Sequence, residues 1–235
     1  MTIVGIIGAM DEEITQLIEQ AEIIKTETIA AMKFHIGKIS GTDVIIVKSG
    51  MGKVNAAICA QILICNYHTT HIINTGFAGS LSKELHIGDI IISTEAVQHD
   101  FDVSPIGFKK GEIPYTGLVA FPADKELVKK AYKVISEVLP TVKKYSGRIC
   151  SGDQFISDTD TKTRILEEFG KGYCCEMEGA AIAQVCYLNQ VHFIIIRAIV
   201  DSAEETAGEE FNINIFQSTV AEEFATSIPK IITAI

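Results

Sequence analysis

Carboxylates at the ends of predicted strands are the residues of this sequence best suited to chemistry. The first predicted strand, 2–7, leads into the acidic run 11–13, which includes Glu12 and begins a predicted helix; Asp201 follows the predicted strand 192–199. A carboxylate that turns into a cleft can act as a general base or acid. Acids in the first turn of a helix also stabilise the helix dipole, so the acidic run alone leaves both interpretations open.

Two further charged residues lie at comparable places. Glu178 is at the start of a predicted helix, where a carboxylate is electrostatically favourable and could bind two adjacent sugar hydroxyls. Arg197 lies inside an otherwise apolar strand, and a charge there needs a partner or a ligand. Ligands of open α/β sheets collect at the carboxyl ends of strands, so these residues are expected to share one edge of the sheet.

Three glycine-containing segments, 49–53, 74–79 and 151–156, also follow predicted strands and are interpreted as turns. The first resembles a phosphate loop but has neither the Walker spacing nor a third glycine, so it is a weak signal for phosphate or dinucleotides. The milder prediction is that these turns let a ligand approach the backbone.

Short β-branched runs alternate with segments of helical periodicity. Strands are predicted at 2–7, 43–48, 71–74, 89–93, 145–151 and 192–199, and helices at 11–24, 53–67, 124–139, 160–169, 178–189 and from 215 onward. This alternation predicts helices on both faces of a mainly parallel or mixed sheet, in one domain spanning residues 1–235. The stretch from Glu95 to Pro122 lacks periodicity and is predicted to be a functional loop.

Composition narrows the class of partner. The formal net charge is −10 without a basic block, which argues against nucleic acid. The six cysteines form no CxxC pair and lie mostly in apolar runs, so reduced core cysteines are expected rather than a zinc site. The N-terminus lacks the basic region of a signal peptide, and no apolar run approaches membrane-spanning length. We therefore expect a cytoplasmic protein.

Six segments together resemble one family, the 5′-methylthioadenosine/S-adenosylhomocysteine nucleosidases of the nucleoside phosphorylase superfamily. They occur in the same order and at compatible spacing over nearly the whole chain: Gly5–Ile14, Lys48–Val54, Asn74–Gly79, Ser151–Ile156, Glu176–Ala181 and Arg197–Asp201. The resemblance implies a three-layer αβα sandwich around a twisted mixed sheet. It also implies a homodimer, with hydrolysis of the N-glycosidic bond of adenine nucleosides that have an apolar 5′ end, and a place in methionine salvage.

The resemblance also implies roles for individual residues. Glu12 would be the base that activates water, Asp201 the acid that protonates adenine N7, and Glu178 the ligand of the ribose hydroxyls. Arg197 would help to hold the water. The remaining implied substrate contacts are Met177 at the ribose, Phe155 and Ile156 at the adenine, and Met51 and Phe211 in the apolar wall. Val103, Ile106 and Pro114 correspond to a stretch that completes the 5′ pocket of the partner subunit. No metal or cofactor is implied.

Two positions depart from the common family pattern. Phe77 stands where serine is frequent near the water, and Val200 replaces a serine beside Asp201. Each change removes a hydroxyl group, so each is expected to alter substrate preference or rate. Neither changes the predicted acid, base or sugar ligand.

Several alternatives remain open at this point. A purine nucleoside phosphorylase would use phosphate in place of water, but Glu12 would repel a dianion and Lys48 and Lys53 do not obviously replace the missing positive site. Other 5′-modified adenosines, such as 5′-deoxyadenosine or an aminodeoxyfutalosine-like compound, are possible substrates. A nucleoside-binding sensor without catalysis is a third alternative, and a dehydrogenase is disfavoured because the glycine fingerprint is absent.

Overall fold

The fold is described by a computed structural model for residues 2–170, 172–201 and 219–235, with side chains of the last segment from 224 onward. The strands are β1 (Ile3–Gly8), β2 (Glu22–Ile29), β3 (Met32–Ile39), β4 (Thr42–Lys48), β5 (His71–Ser80), β6 (Ile90–Gln98), β7 (Ala120–Pro122), β8 (Lys144–Ser151), β9 (Gly172–Glu176) and β10 (His192–Asp201). The helices are α1 (Asp11–Gln20), α2 (Lys53–Tyr67), α3 (Lys125–Val138), α4 (Thr159–Phe169), α5 (Gly179–Asn189) and α6 (Thr219–Ala234). None of these helices is long and apolar enough to span a membrane.

One mixed sheet runs through the molecule in the order β10-β6-β8-β9-β5-β1-β4-β3-β2, and β7 pairs with β6. β10 also pairs in parallel with β5, so five of the strands close into a ring. The strands β4, β1, β5 and β10 are parallel neighbours, which brings their carboxyl ends to one edge. The last residues of β5 pair antiparallel with the end of β9 at this same edge.

Helices cover both faces of the sheet. Helices α2 and α5 pack on one face, and α1, α3 and α6 pack on the other, each with its own cluster of buried aliphatic side chains. The inner strands alternate between these clusters, as Ile6 and Ile7 of β1 do, and are therefore apolar throughout. The predicted three-layer αβα sandwich around a mixed sheet is confirmed. Five of the six cysteines are buried and all six are free thiols.

The structure corrects several element predictions. Helix α1 ends at Gln20 rather than at 24, and the hairpin β2–β3 that follows it was not predicted. Segment 74–79 is not a turn but the second half of β5, which continues to Ser80. The stretch between Glu95 and Pro122 begins with the end of β6 and closes with β7, so the irregular loop spans only 99–119, with one short 3₁₀ turn.

Candidate active site

A cavity of about 380 Å³ opens at the carboxyl edge of the sheet, where β1, β5, β9 and β10 end. Eight of the residues that the sequence assigns to the site line it: Glu12, Met51, Phe77, Phe155, Ile156, Met177, Glu178 and Asp201. The lining that was not assigned includes Glu13, Gln154, Cys175 and Glu176. Carboxylates and apolar side chains dominate this surface, as expected of a pocket for a neutral organic molecule.

Glu13, rather than Glu12, has its carboxylate enclosed at the end of β1. Glu13 Oε2 accepts hydrogen bonds from the amides of Ala9 and Met10, and Oε1 accepts one from the amide of Phe77 at 3.2 Å. Burial raises the pKa of Glu13, while the positive charge of Arg197 and the three amide donors act to lower it. Glu12 also lines the cavity, but its side chain is exposed on the first turn of α1.

Gly76 explains how the Glu13 carboxylate can lie directly on β5. A Cβ atom at position 76 would be 2.3 Å from Glu13 Oε1, so a side chain there is incompatible with this placement. The strand therefore gives up a side chain at this position, and the carboxylate takes its place.

Glu178 precedes the first turn of α5 and is 6% exposed. Its Oε1 atom accepts a hydrogen bond of 2.7 Å from the amide of Gly52 in the loop after β4. Burial raises the pKa of Glu178 to about 7, and the neighbouring charge of Glu176 acts in the same direction. This carboxyl group can therefore exchange a proton near neutral pH.

Arg197 and Glu176 form a buried ion pair behind the cavity. The Nη2 atom of Arg197 is 2.5 Å from Glu176 Oε2 and also donates to the side chain of Asn74. Glu176 in turn accepts hydrogen bonds from the Ser151 hydroxyl and the Gly179 amide. Although burial disfavours the guanidinium charge, the surrounding carboxylates raise the pKa of Arg197. The expectation that this arginine needs a partner is confirmed, but its side chain does not line the cavity.

Asp201 ends β10 on the other side of the site and is held at both oxygens. Its Oδ1 accepts a 2.7 Å hydrogen bond from the Ser80 amide, and its Oδ2 is 3.1 Å from Lys162 Nζ. Gly79 lies beneath, where a Cβ atom would be 2.9 Å from Oδ2. Sequence reasoning missed Lys162, although a lysine in line with Ile165 and Phe169 on the buried face of α4 was a visible signal.

Apolar side chains complete the cavity. Met51 and Phe155 are 61% and 59% exposed, whereas Ile156 is buried. Phe77 and Val200, the two departures from the family pattern, both line the cavity. Phe211, assigned to the same wall, lies outside the described residues.

Two amides at the end of the loop after β4, and the lysine side chains on either side of it, are bound to carboxylates. The Gly52 amide is bonded to Glu178, and the Lys53 amide donates to Asp153 at 2.7 Å. The Lys53 ammonium bonds Asp100 at 2.6 Å, and the Lys48 ammonium bonds Asp11 at the same distance. A phosphate dianion would have to displace these carboxylates, so the loop is not prepared for one.

Comparison with known proteins identifies the family of this chain. The family model of the phosphorylase superfamily matches residues 3–235. A 5′-methylthioadenosine/S-adenosylhomocysteine nucleosidase of Shewanella sediminis is 43% identical over 89% of this chain and 90% of its own. This chain belongs to that nucleosidase family.

Solved structures agree with this assignment. The nucleosidase of Neisseria meningitidis in complex with methylthio-immucillin-A superposes with a TM-score of 0.93, at 34% identity over the full length of both chains. The futalosine hydrolase of Helicobacter pylori superposes with a TM-score of 0.91, at 30% identity over 100% of this chain and 98% of its own.

Three residues assigned to the 5′ pocket of this nucleosidase are absent from the cavity of the single chain. Val103, Ile106 and Pro114 lie in the loop 99–119, and Ile106 is 72% exposed. Their predicted contribution to a partner subunit stays a prediction. In the part of the chain that the structure describes, no group of three or more His, Cys, Asp and Glu residues is arranged to hold a metal ion.

Proposed function

We propose that this chain hydrolyses the N-glycosidic bond of 5′-methylthioadenosine and S-adenosylhomocysteine, releasing adenine. The observation that carries the proposal is that two carboxyl groups from different elements lie against the same strand, β5. Glu13 lies over Gly76, and Asp201 lies over Gly79. The two glycines are three residues apart on β5, roughly 10 Å along the strand, and both carboxyl groups line the same cavity. Carboxyl groups set apart in this way can protonate a leaving group from one side and activate water on the other.

Asp201 is the general acid in this mechanism. As the C1′–N9 bond breaks, its electron pair moves to adenine, and a proton that Asp201 has taken from solvent passes to N7, so that adenine leaves as a neutral molecule. Glu178 binds the ribose hydroxyls and provides negative charge as C1′ becomes positive. Phe155 and Ile156 hold the adenine, and Met51 and Met177 cover the sugar side.

Glu13 is the general base, which revises the role that the sequence gave to Glu12. The Glu13 carboxylate takes a proton from the water that attacks C1′, and three backbone amides fix its orientation. Glu12 is exposed and has no comparable setting. Arg197 does not line the cavity, so it acts on the water through Glu13, whose pKa its positive charge lowers.

Water, rather than phosphate, is the nucleophile. Glu13 occupies the base position with a negative charge, and the nearby ammonium groups of Lys48 and Lys53 are already paired with Asp11 and Asp100. A phosphorylase would require positive groups open to a dianion at this place.

The substrate range is the second part of the proposal. The apolar cavity suits a thioether at the 5′ end, and Phe77 and Val200 make its lining more apolar than the common family pattern. A futalosine hydrolase is among the closely superposing structures, so futalosine is the specific competitor to test.

The nucleosidase is further proposed to be a cytoplasmic homodimer. Helices α2 and α5 expose the apolar side chains of Val54, Ile58 and Leu188, with exposed fractions of 69%, 41% and 60%. Apolar surface of this kind, close to the cavity residue Met51, suits an interface between two copies. The loop with Val103, Ile106 and Pro114 would then contribute to the neighbouring 5′ pocket.

The test is release of the purine base by the purified protein, with and without phosphate: adenine from methylthioadenosine, adenosylhomocysteine and 5′-deoxyadenosine, and hypoxanthine from futalosine. We expect free 5-methylthioribose from methylthioadenosine at a rate that phosphate does not change. Formation of 5-methylthioribose 1-phosphate only in the presence of phosphate would make the chain a phosphorylase. Absence of base release from all four compounds would identify a binding protein.

A further inference from the structure

Lys162 is a charged residue on the buried face of a helix, where apolar residues are expected. It lies on the buried face of α4, three residues before Ile165 and seven before Phe169, and is 1% exposed. Burial of an ammonium group costs several kcal/mol unless it is paired and hydrogen-bonded. A lysine at such a place therefore requires a reason beyond packing.

The carboxylate paired with Lys162 is that of Asp201, at 3.1 Å from Nζ to Oδ2. The Ser80 amide holds the other oxygen, so Asp201 is fixed from two directions while it still faces the cavity. Cys175 lies beside the pair, and burial raises the pKa of its thiol, so it remains neutral. Lys162 itself does not line the cavity and reaches the substrate only through Asp201.

We propose that Lys162 is a positioning residue for the general acid of this enzyme. Its ammonium group orients the Asp201 carboxyl toward adenine and stabilises the negative charge that remains on Asp201 after the proton has passed to N7. Lys162 keeps its own protons throughout, and no covalent bond to it forms or breaks. The inference rests on the proposed role of Asp201 and adds a second residue to it.

Two substrates that differ only in their leaving group separate this role from a structural one. Methylthioadenosine needs a proton on adenine, whereas 4-nitrophenyl 5-methylthioriboside releases a stable 4-nitrophenolate without one. Replacing Lys162 with Met continues the apolar face of α4 and removes the charge. Lys38→Met is the matched control, since Lys38 pairs with Asp43 at 2.6 Å on the surface of the β3–β4 hairpin.

We expect K162M to lower kcat for methylthioadenosine on the order of 100-fold, the usual effect of losing one oriented donor at a developing charge. Hydrolysis of the nitrophenyl substrate should change less than threefold, and K38M should resemble the wild type with both substrates. Asp201→Asn should show the same selectivity as K162M, whereas Glu13→Gln should slow both substrates because both require activated water.

A second readout does not depend on turnover. Wild-type protein should bind adenine more tightly than 7-deazaadenine, which lacks N7, and K162M should narrow this preference in calorimetry. The proposal is overturned if K162M slows both substrates equally, which would indicate a packing role, or if it hydrolyses methylthioadenosine at the wild-type rate. Failure of the wild-type protein to release adenine would instead refute the proposed function.

Discussion

At the scale of a single residue, Glu178 shows that a group placed for function can lower the stability of the fold. Its carboxyl group is buried beside Glu176, and its pKa is raised to about 7, whereas the ordinary value is 4.5. Between these two pH values the folded protein keeps a proton that the unfolded chain has lost. Folding stability therefore decreases as pH rises through this window, and the loss is complete above pH 7.

Replacing Glu178 with Gln should consequently stabilise the protein while abolishing ribose binding. At pH 8 we expect the free energy of unfolding to rise by on the order of 3 kcal/mol, the value for a shift from 4.5 to about 7. At pH 5 the gain should be small, because the wild-type carboxyl is then protonated in the folded state. Urea unfolding at the two pH values measures the difference; an equal gain at both would show that the buried charge is not its source.

Glu12 and Glu13 provide the sharpest test of the catalytic assignment, because they are adjacent and chemically identical. Glu13→Gln should lower kcat for methylthioadenosine at least 100-fold, since a neutral amide cannot accept the proton of the attacking water. Glu12→Gln should retain most of the activity, since this side chain is exposed. Steady-state kinetics of both purified variants would decide, and the reverse pattern would restore Glu12 as the base.

The sequence alone identifies the acidic run but not the member that enters the site. Three consecutive acids all suit the first turn of a helix. Their difference lies in helical phase: Glu13 is one turn before the buried Leu17, whereas Glu12 is one turn before Gln16, which is only partly buried. The same periodicity argument could have found Lys162, because a lysine in line with two buried apolar side chains contradicts an amphipathic helix.

At the scale of the element, β5 is the strand on which the site depends. Its glycines at 76 and 79 leave room for the two carboxyl groups, and its amides at 77 and 80 donate to them. The sequence suggests a turn at 74–79 because of its glycines, but these serve close approach inside a continuing strand. The hairpin β2–β3 is hidden for a different reason, since β2 is mostly exposed and lacks a strong apolar pattern.

Alanine at either glycine should therefore imitate the loss of the carboxyl group above it. Gly79→Ala places a Cβ atom 2.9 Å from Asp201 Oδ2, and Gly76→Ala places one 2.3 Å from Glu13 Oε1. We expect Gly79→Ala to slow methylthioadenosine at least tenfold more than 4-nitrophenyl 5-methylthioriboside. Gly76→Ala should slow both, and unchanged kinetics of either variant would show that its carboxyl group tolerates displacement.

At the scale of the whole molecule, the sequence predicts the layers but not the closure of the sheet. Apolar runs such as Ile194–Ile196 predict strands covered on both faces, and the two helix layers confirm this. The ring arises because β10 pairs with both β5 and β6, and β9 meets β5 only at its last residues. The paired residues of β10 lie more than a hundred residues from their partners in β5 and β6, and those of β9 lie almost as far from β5. Over such distances, no local sequence pattern encodes the pairings. They are also what brings Glu176 to Arg197 and Asp201 to Gly79.

The exposed apolar faces of α2 and α5 predict that two copies of the chain form a dimer. A helix that is apolar on all sides is normally buried on all sides, yet Val54 is 69% exposed. We expect light scattering to give twice the chain mass of 25.6 kDa at micromolar concentration. Val54→Glu combined with Ile58→Glu should give a monomer, because two carboxylates would have to be desolvated at the interface. Ile24→Glu is the control: Ile24 is 72% exposed on β2, so this variant should remain a dimer.

The monomeric variant also tests whether the loop around Ile106 completes the neighbouring 5′ pocket. If it does, KM for methylthioadenosine should rise much more in the monomer than the dissociation constant of adenine. Equal weakening of both, or full activity of the monomer, would place the complete 5′ pocket within the single chain.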